Sequence, residues 1–152
     1  MRQKIGIFSF TCCEGCVITF LEALNRKYFK WKNKIKIENM RILKTSKKIK
    51  KLDIALVEGA ISTESELRKL KEIRKKSRKL IALGSGAING YPSNLRNKFN
   101  KETKKQIQPL IKKLRQLKKI LPIKAFVKVD DEILGCPVDE NVLIKKIEEW
   151  LS

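Results

Sequence analysis

Histidine is absent from the 152 residues of this sequence. It is the commonest general base near neutral pH and a common metal ligand, so its absence removes much of stand-alone acid–base and metal chemistry. No Gly-x-Gly-x-x-Gly pattern follows the first predicted strand, which excludes the usual cradle for a dinucleotide. We therefore do not expect a complete active site within this chain.

Long apolar runs are also missing. The run near the amino terminus ends at Phe10, is too short for a secretory signal and leads into no cleavage-like pattern. No other segment is long enough to span a membrane. We expect one domain over residues 1–152, located in the cytoplasm, with 42% apolar residues to form its core.

Acidic residues are scarce, with 16 Asp and Glu against 36 Lys and Arg, which gives a formal net charge of +20. Lysine supplies most of the positive charge, whereas nucleic-acid recognition favours arginine forks and aromatic platforms. Lysines such as Lys71 and Lys75 recur on predicted helix faces, which favours a solvated surface over a specific nucleic-acid site. An acidic partner subunit is a third explanation of the charge.

The apolar pattern predicts alternating strands and helices. The predicted strands are Lys4–Phe10, Met40–Leu43, Asp53–Val57 and Leu80–Leu83. The predicted helices are Cys16–Asn25, one that begins at a capping box of Thr63 and Glu66, Glu102–Leu117 interrupted or restarted at Pro109, and one capped by Asp139. We expect the rest of Arg26–Lys51 to be exposed connection and Gly84–Pro92 to be a glycine-rich loop. This alternation predicts an α/β fold with a mostly parallel open sheet and helices on both faces.

Three unusual segments are predicted at the carboxyl side of this sheet, where ligands of open α/β folds bind. They are Thr11–Cys16, Gly84–Ala87 and Leu134–Pro137. In a reducing compartment, four cysteines favour metal ligands or redox groups over disulfides. Cys13 and Cys16 have the spacing to reach one metal centre, and the remote Cys136 before a proline is typical of an iron–sulfur ligand.

Other chemistries are compatible with the same cysteines. A single Cys-x-x-Cys beside a strand also occurs in thioredoxin-like redox pairs. Structural zinc is a further possibility, although zinc sites more often use two close pairs of ligands. Cysteines that only fill the core would not gather in a glycine-flanked loop at a strand end.

Several blocks of the sequence together resemble the small subunit of NiFe hydrogenases and the related 20 kDa subunit of NADH:quinone oxidoreductase. The blocks are Thr11–Cys16, Asp53–Ala60, Ala82–Ala87, Asn89–Ser93 and Gly135–Pro137. The resemblance extends over nearly the whole chain. It implies a flavodoxin-like three-layer sandwich that holds one 4Fe-4S cluster close to a NiFe centre in a separate large subunit.

By their positions in the matching blocks, the resemblance implies that Cys13, Cys16 and Cys136 are ligands of the cluster. Gly86 stands where family members have the remaining cysteine, and it has no side chain to bind iron. Cys12 is one candidate for the fourth thiolate. A second outcome is a 3Fe-4S cluster, or a 4Fe-4S cluster whose open iron takes water or Ser85. The third is a site that holds no cluster. Gly84, Ser85 and Gly86 are expected beside the cluster, where free backbone amides tune its potential.

Two glutamates lie near the predicted site. Glu58 either sits buried at a strand end, with a role beside the cluster and the large subunit, or faces water. Glu14 lies inside the cysteine loop, and we expect it to be exposed.

Electron transfer is the function that the resemblance implies. The chain is expected to relay electrons between a NiFe-hydrogenase large subunit and a further electron-carrier subunit, without a membrane span. One alternative is an iron–sulfur subunit of a quinone-reducing or ion-pumping complex similar to respiratory NADH dehydrogenase. The other is a lysine-rich nucleic-acid-binding module with a zinc or vestigial cysteine site.

Overall fold

A computed structural model describes residues 1–44 and 48–152. Within these ranges the strands are β1 (Gln3–Ser9), β2 (Ile35–Met40), β3 (Leu52–Glu58), β4 (Ile61–Thr63), β5 (Ser77–Leu83), β6 (Gln116–Leu121) and β7 (Asp131–Ile133). The helices are α1 (Gly15–Arg26), α2 (Tyr28–Trp31), α3 (Glu64–Lys76), α4 (Gly84–Asn89), α5 (Lys101–Lys113) and α6 (Glu140–Leu151), with 3-10 turns at Ser93–Lys98 and Ile123–Ala125. No helix in these ranges is long and apolar enough to cross a membrane.

Five strands form one sheet in the order β2-β1-β3-β5-β7, and all their pairings are parallel. The predicted α/β fold with a mostly parallel open sheet is therefore confirmed. The chain builds outward from β1 in one direction to β2 and in the other to β3, β5 and β7. Parallel strands of this kind end at the same edge, and the reversal of strand order beside β1 opens a crevice there.

Helices cover both faces of the sheet, because alternate residues of each central strand point to opposite sides. In β3, Ile54 and Leu56 join the core beneath α1 and α6, whereas Ala55 and Val57 join the core beneath α3 and α4. Phe20, Leu143 and Ile147 are fully buried in the first core, and Leu70, Ile73 and Ile88 are buried in the second. The sheet lies between two layers of helices, with one apolar core on each side, which gives the three-layer sandwich.

The second strand lies earlier than the sequence predicted. It is Ile35–Met40, and residues 41–43 form a turn, so the predicted strand Met40–Leu43 is wrong. Ile35 and Met40 are buried, whereas Ile42 and Leu43 are half-exposed. The lysine-rich surroundings hid the alternation in this edge strand. The same stretch is not wholly exposed either, since Trp31 in α2 is buried.

The second half of the chain also differs from the prediction in detail. The predicted helix Glu102–Leu117 ends at Lys113, because Gln116 begins β6, which pairs antiparallel with β4. Pro109 remains inside α5, at an exposed position. The predicted loop from Gly84 begins with the short helix α4. The strands β4, β6 and β7 are short and were not predicted.

The predicted helix starts are present. Thr63 accepts a hydrogen bond from the Glu66 N–H at 3.1 Å, and the Glu66 carboxylate accepts one from the Thr63 N–H at 3.1 Å, which completes the capping box of α3. Asp139 caps α6 through the Val142 N–H.

Candidate functional site

A cavity of about 310 Å³ opens at the carboxyl edge of the sheet. Its walls come from the loop after β1, the end of β3, the start of α4, the segment before the first 3-10 turn and the loop after β7. The lining residues are Thr11, Cys12, Cys13, Cys16, Glu58, Leu83, Gly84, Ser85, Gly86, Tyr91, Pro92, Ser93, Gly135, Cys136 and Pro137. All four cysteines of the chain therefore line one cavity, together with Glu58 and the three residues Gly84, Ser85 and Gly86.

The cysteine loop is fixed at its start by Thr11. The Thr11 and Ala60 backbones exchange two hydrogen bonds of 3.1 Å, which tie the loop to the segment after β3. The Thr11 hydroxyl lies 2.6 Å from the Ser62 hydroxyl and donates to Glu66 at 2.9 Å. Glu66 also accepts from the Ser62 N–H at 2.8 Å. The amino end of α3 thus anchors the loop that bears Cys12 and Cys13.

Glu58 holds the other end of the same loop. Its carboxylate accepts hydrogen bonds from the N–H groups of Cys16 at 3.1 Å and Val17 at 3.2 Å. These are orphan donors of the first turn of α1, and the residue at the cap position, Glu14, makes no side-chain cap. Glu58 is 3% exposed, so it is buried at the strand end and does not face water. Burial raises the pKa of Glu58, although the hydrogen bonds from Cys16 and Val17 oppose that shift.

Glu14 is less exposed than expected. Its carboxylate pairs with Arg41, and its side chain is 25% exposed. This pair connects the cysteine loop to the residue just after β2. Nothing in the local sequence indicated it, because the two residues meet only through the pairing of β1 with β2.

The four thiols differ in exposure. Cys16 is buried, Cys12 is partly buried, and Cys13 and Cys136 are exposed; all four are unpaired. Burial, together with the nearby Glu58 charge, raises the pKa of Cys12 and of Cys16 to about 12. Both thiols are therefore protonated at neutral pH unless a cation binds them. Coordination to a cation would supply the driving force for losing these protons.

Gly84 and Ser85 bring the loop of Cys136 against the start of α4. The Ser85 N–H and hydroxyl both donate to the Gly135 carbonyl, at 2.8 and 3.1 Å. Gly84 has a φ of 82°, and a Cβ at this position would lie 2.5 Å from the Cys16 Sγ. Glycine is therefore required here both by the backbone conformation and by the close approach of a thiol.

Gly86 packs against the end of β3. A Cβ at position 86 would lie 3.2 Å from the Cα of Gly59, and a Cβ on Gly59 would lie 3.0 Å from the Cβ of Cys12. Gly86 and Cys12 therefore flank Gly59 from two sides. A side chain at position 86 would need Gly59 to shift, whereas Cys12 already presents a thiol in the same cavity.

The cysteines are not arranged as a single-ion site. In the described ranges, no three Cys, Asp or Glu side chains are grouped closely enough to hold one metal ion. A structural zinc site brings four donors to one atom, whereas an iron–sulfur cluster distributes its thiolates over several irons. The four thiols of this cavity are donors of the type that iron–sulfur clusters use, and they come from the loop after β1, the start of α1 and the loop after β7.

Sequence reasoning missed several residues of this region. Tyr91 and Pro92 line the cavity, and Ser62 and Glu66 anchor the cysteine loop. The capping box identified Glu66 as a helix start, but its contact with Thr11 joins residues 55 positions apart, which no local pattern reveals.

The chain is similar to subunits of known hydrogenases. The delta subunit of sulfhydrogenase 2 from Pyrococcus furiosus is 32% identical over 139 residues, which cover 91% of this chain and 58% of that protein. A subunit of the vhu F420-non-reducing hydrogenase from Methanocaldococcus jannaschii is 32% identical over 171 aligned positions, which cover 100% of this chain and 57% of that protein. The chain thus spans a little over half the length of these relatives.

Solved structures share the fold. A chain of an NAD⁺-reducing [NiFe]-hydrogenase in the H₂-reduced state superimposes with a TM-score of 0.87 at 22% identity, covering 99% of this chain and 92% of the other. A chain of the Ni-Fe-Se hydrogenase from Desulfomicrobium baculatum gives a TM-score of 0.67 at 14% identity, covering 97% and 61%.

The family comparison covers most of the chain. Residues 13–150 match the family described as the 20 kDa subunit of NADH ubiquinone oxidoreductase, and this range includes the cysteine loop from Cys13, the glycine segment and Cys136. The resemblance predicted from the sequence blocks is confirmed by this match and by the hydrogenase relatives. This chain belongs to the NADH ubiquinone oxidoreductase 20 kDa subunit family.

Proposed function

We propose that this chain is the electron-transferring small subunit of a NiFe-hydrogenase-type complex and holds one iron–sulfur cluster in the cavity at the carboxyl edge of the sheet. One observation supports this most directly: the four thiols come from two segments that are distant in sequence, and all of them line a single cavity. The two curated relatives described above are hydrogenase subunits, which favours this partner class.

Cys13, Cys16 and Cys136 would hold three irons, and Cys12 would hold the fourth. Cys12 is favoured over Ser85 because the Ser85 hydroxyl already donates to the Gly135 carbonyl. It is favoured over position 86 because that residue is glycine, packed on Gly59. When bound, a cluster of this kind accepts and releases one electron at a time.

The protein residues position the ligands. Glu58 fixes the first turn of α1 and therefore the backbone of Cys16, and Thr11 fixes the opposite end of the loop. Ser85 holds the loop of Cys136 at a constant place relative to α4. Because these contacts are made by rigid elements, the four sulfurs would keep their spacing when the charge of the cluster changes.

The cavity rim offers a docking surface for the large subunit. Cys13 and Cys136 are exposed, and Tyr91 and Leu134 beside them are 52% and 63% exposed. Exposed apolar residues around a redox site indicate a protein interface. A large subunit bound here would bring its active site close to the cluster, and a further electron carrier would take the electrons onward.

The family match also supports a second assignment, as the cluster-bearing subunit of a quinone-reducing complex related to NADH ubiquinone oxidoreductase. The cysteine site would be the same in both assignments, and the partner subunits would differ.

Anaerobic purification of the native complex tests the proposal. We expect brown protein with absorbance near 400 nm, iron and acid-labile sulfide, and a NiFe-containing chain that co-purifies with this one. A colourless, iron-free chain in the isolated complex would overturn the cluster assignment. Co-purification with quinone-binding subunits and without a nickel protein would replace the hydrogenase partner by the second assignment.

A further inference from the structure

The helix α5 has an apolar face that the rest of the described chain covers only in part: Ile107 and Ile111 are half-buried, whereas Leu110 and Leu114 are exposed. None of its residues is buried. Ile107, Leu110, Ile111 and Leu114 recur at spacings of three and four, which places them on one side of the helix. Leu110 is 57% exposed, and Leu114, at the end of the helix, is 59% exposed.

This face belongs to neither core of the protein. In the described ranges, none of the four apolar residues packs against the core beneath α1 and α6 or the core beneath α3 and α4. Hydrogen bonds instead join the two segments that flank the helix, the 3-10 turn before it and β6 after it. Arg96 donates to the Leu117 carbonyl, and Asn97 exchanges two hydrogen bonds with the backbone of Ile120.

Because none of its residues is fully buried, the helix gains only part of the stability that packing can provide. It has 13 residues, which is a marginal length for an isolated helix in water. Pro109 within it lacks a backbone donor and costs further stability. A surface that covers the apolar face would therefore stabilise the helix.

The charge around the apolar face is almost entirely positive. The basic residues on α5 and its flanks are Lys98, Lys101, Lys104, Lys105, Lys112, Lys113, Arg115, Lys118 and Lys119. Glu102 is the acidic residue of the helix, and no lysine of α5 forms an ion pair within the described ranges. The lysines of α5 lie towards both of its ends instead of converging on one point.

We propose that α5 binds the surface of an anionic membrane, lying parallel to it with Leu110 and Leu114 inserted at the boundary of the acyl chains. A lysine-rich polar face with leucines on the other side is the pattern of helices that bind in the membrane interface. Lysines at both ends of the helix and on its flanks match an extended surface of negative charge better than the few fixed carboxylates of a folded acidic partner. This inference is independent of the cysteine cavity.

Flotation of the full chain with lipid vesicles tests the inference. We expect the chain to float with vesicles that contain phosphatidylglycerol and to stay behind with vesicles of phosphatidylcholine alone. Added salt should weaken the binding. The triple variant Lys104→Gln, Lys105→Gln, Lys112→Gln should lower the partition coefficient on the order of a hundredfold at low salt, because each lysine near an anionic surface adds to the attraction.

A matched control removes the same charge elsewhere. Lys4, Lys51 and Lys75 lie around a groove at the amino ends of the strands, and their replacement by Gln should change the partition coefficient far less. The pair Leu110→Ser, Leu114→Ser keeps the charge and should reduce binding strongly. Circular dichroism would confirm that the substituted chains are folded.

Three results would overturn the inference. They are no flotation of the unaltered chain with either vesicle, equal losses in the two lysine variants, and full binding by the leucine pair variant. The last result would indicate attraction by charge alone, as for an acidic protein surface.

Discussion

Glu58, the last residue of β3, accepts a hydrogen bond of 3.1 Å from the backbone N–H of Cys16 at the start of α1. This contact joins the centre of the sheet to the loop that presents three of the four cysteines. It also places a carboxylate where a helix amino terminus favours negative charge. The residue is therefore a structural part of the cavity wall.

Replacing Glu58 with Ala should destabilise the fold by about 2 to 3 kcal/mol, because two buried N–H groups lose their acceptor. Urea denaturation followed by circular dichroism measures the change. Glu14→Ala in the same loop is the control, and it should cost under about 1 kcal/mol because its partner Arg41 is 75% exposed. Equal costs for the two variants would contradict the role given to Glu58.

Cys12→Ser should lower the iron content of the reconstituted chain and change its EPR signal, because a hydroxyl is a poorer iron ligand than a thiolate. Ser85→Ala is the control, since its hydroxyl is engaged with the Gly135 carbonyl and should not be a ligand. Unchanged iron and EPR signal in Cys12→Ser, with a changed signal in Ser85→Ala, would reverse the two assignments.

Gly84→Ala should lose stability and iron together. The positive φ costs about 1 kcal/mol or more for a residue with a side chain, and the contact with the Cys16 Sγ adds about 1 to 3 kcal/mol. Gly90→Ala is the matched control, because Gly90 also has a positive φ of 80° but a Cβ there would contact only Asn94. We expect Gly90→Ala to retain iron; similar iron losses would show that backbone strain alone matters.

Asp130 should make the stability of the fold depend on pH in the acidic range. Burial alone would raise the pKa of Asp130, but the Leu80 N–H and Arg74 hold that pKa below its ordinary value. A carboxyl with a lower pKa in the folded state stabilises the fold above its unfolded pKa of about 4, and this contribution is lost as pH falls through the folded pKa.

Asp130→Asn should therefore be less stable near neutral pH and should show a flatter dependence of unfolding free energy on pH in the acid range. Denaturant titrations at several pH values provide the measurement. Parallel pH profiles for the variant and the unaltered chain would exclude this role for Asp130.

Much of the fold follows from short stretches of the sequence. Continuous apolar runs predicted β1, β3 and β5, since strands covered on both faces require apolar side chains on both sides. The capping pairs of Thr63 with Glu66 and of Asp139 with Val142 fixed the starts of α3 and α6 by contacts within three residues. These elements depend on neighbours in the chain, which a sequence displays directly.

The amino-acid sequence also sets the chemistry available to the site: four thiols, no histidine, and glycine at position 86. The arrangement of these residues in space depends on the folded chain. Ser85 meets Gly135 across 50 residues, and Glu58 meets Cys16 across 42. Such contacts follow from strand order and from which helix covers which face, and these are set by the packing of the whole chain instead of by any local pattern.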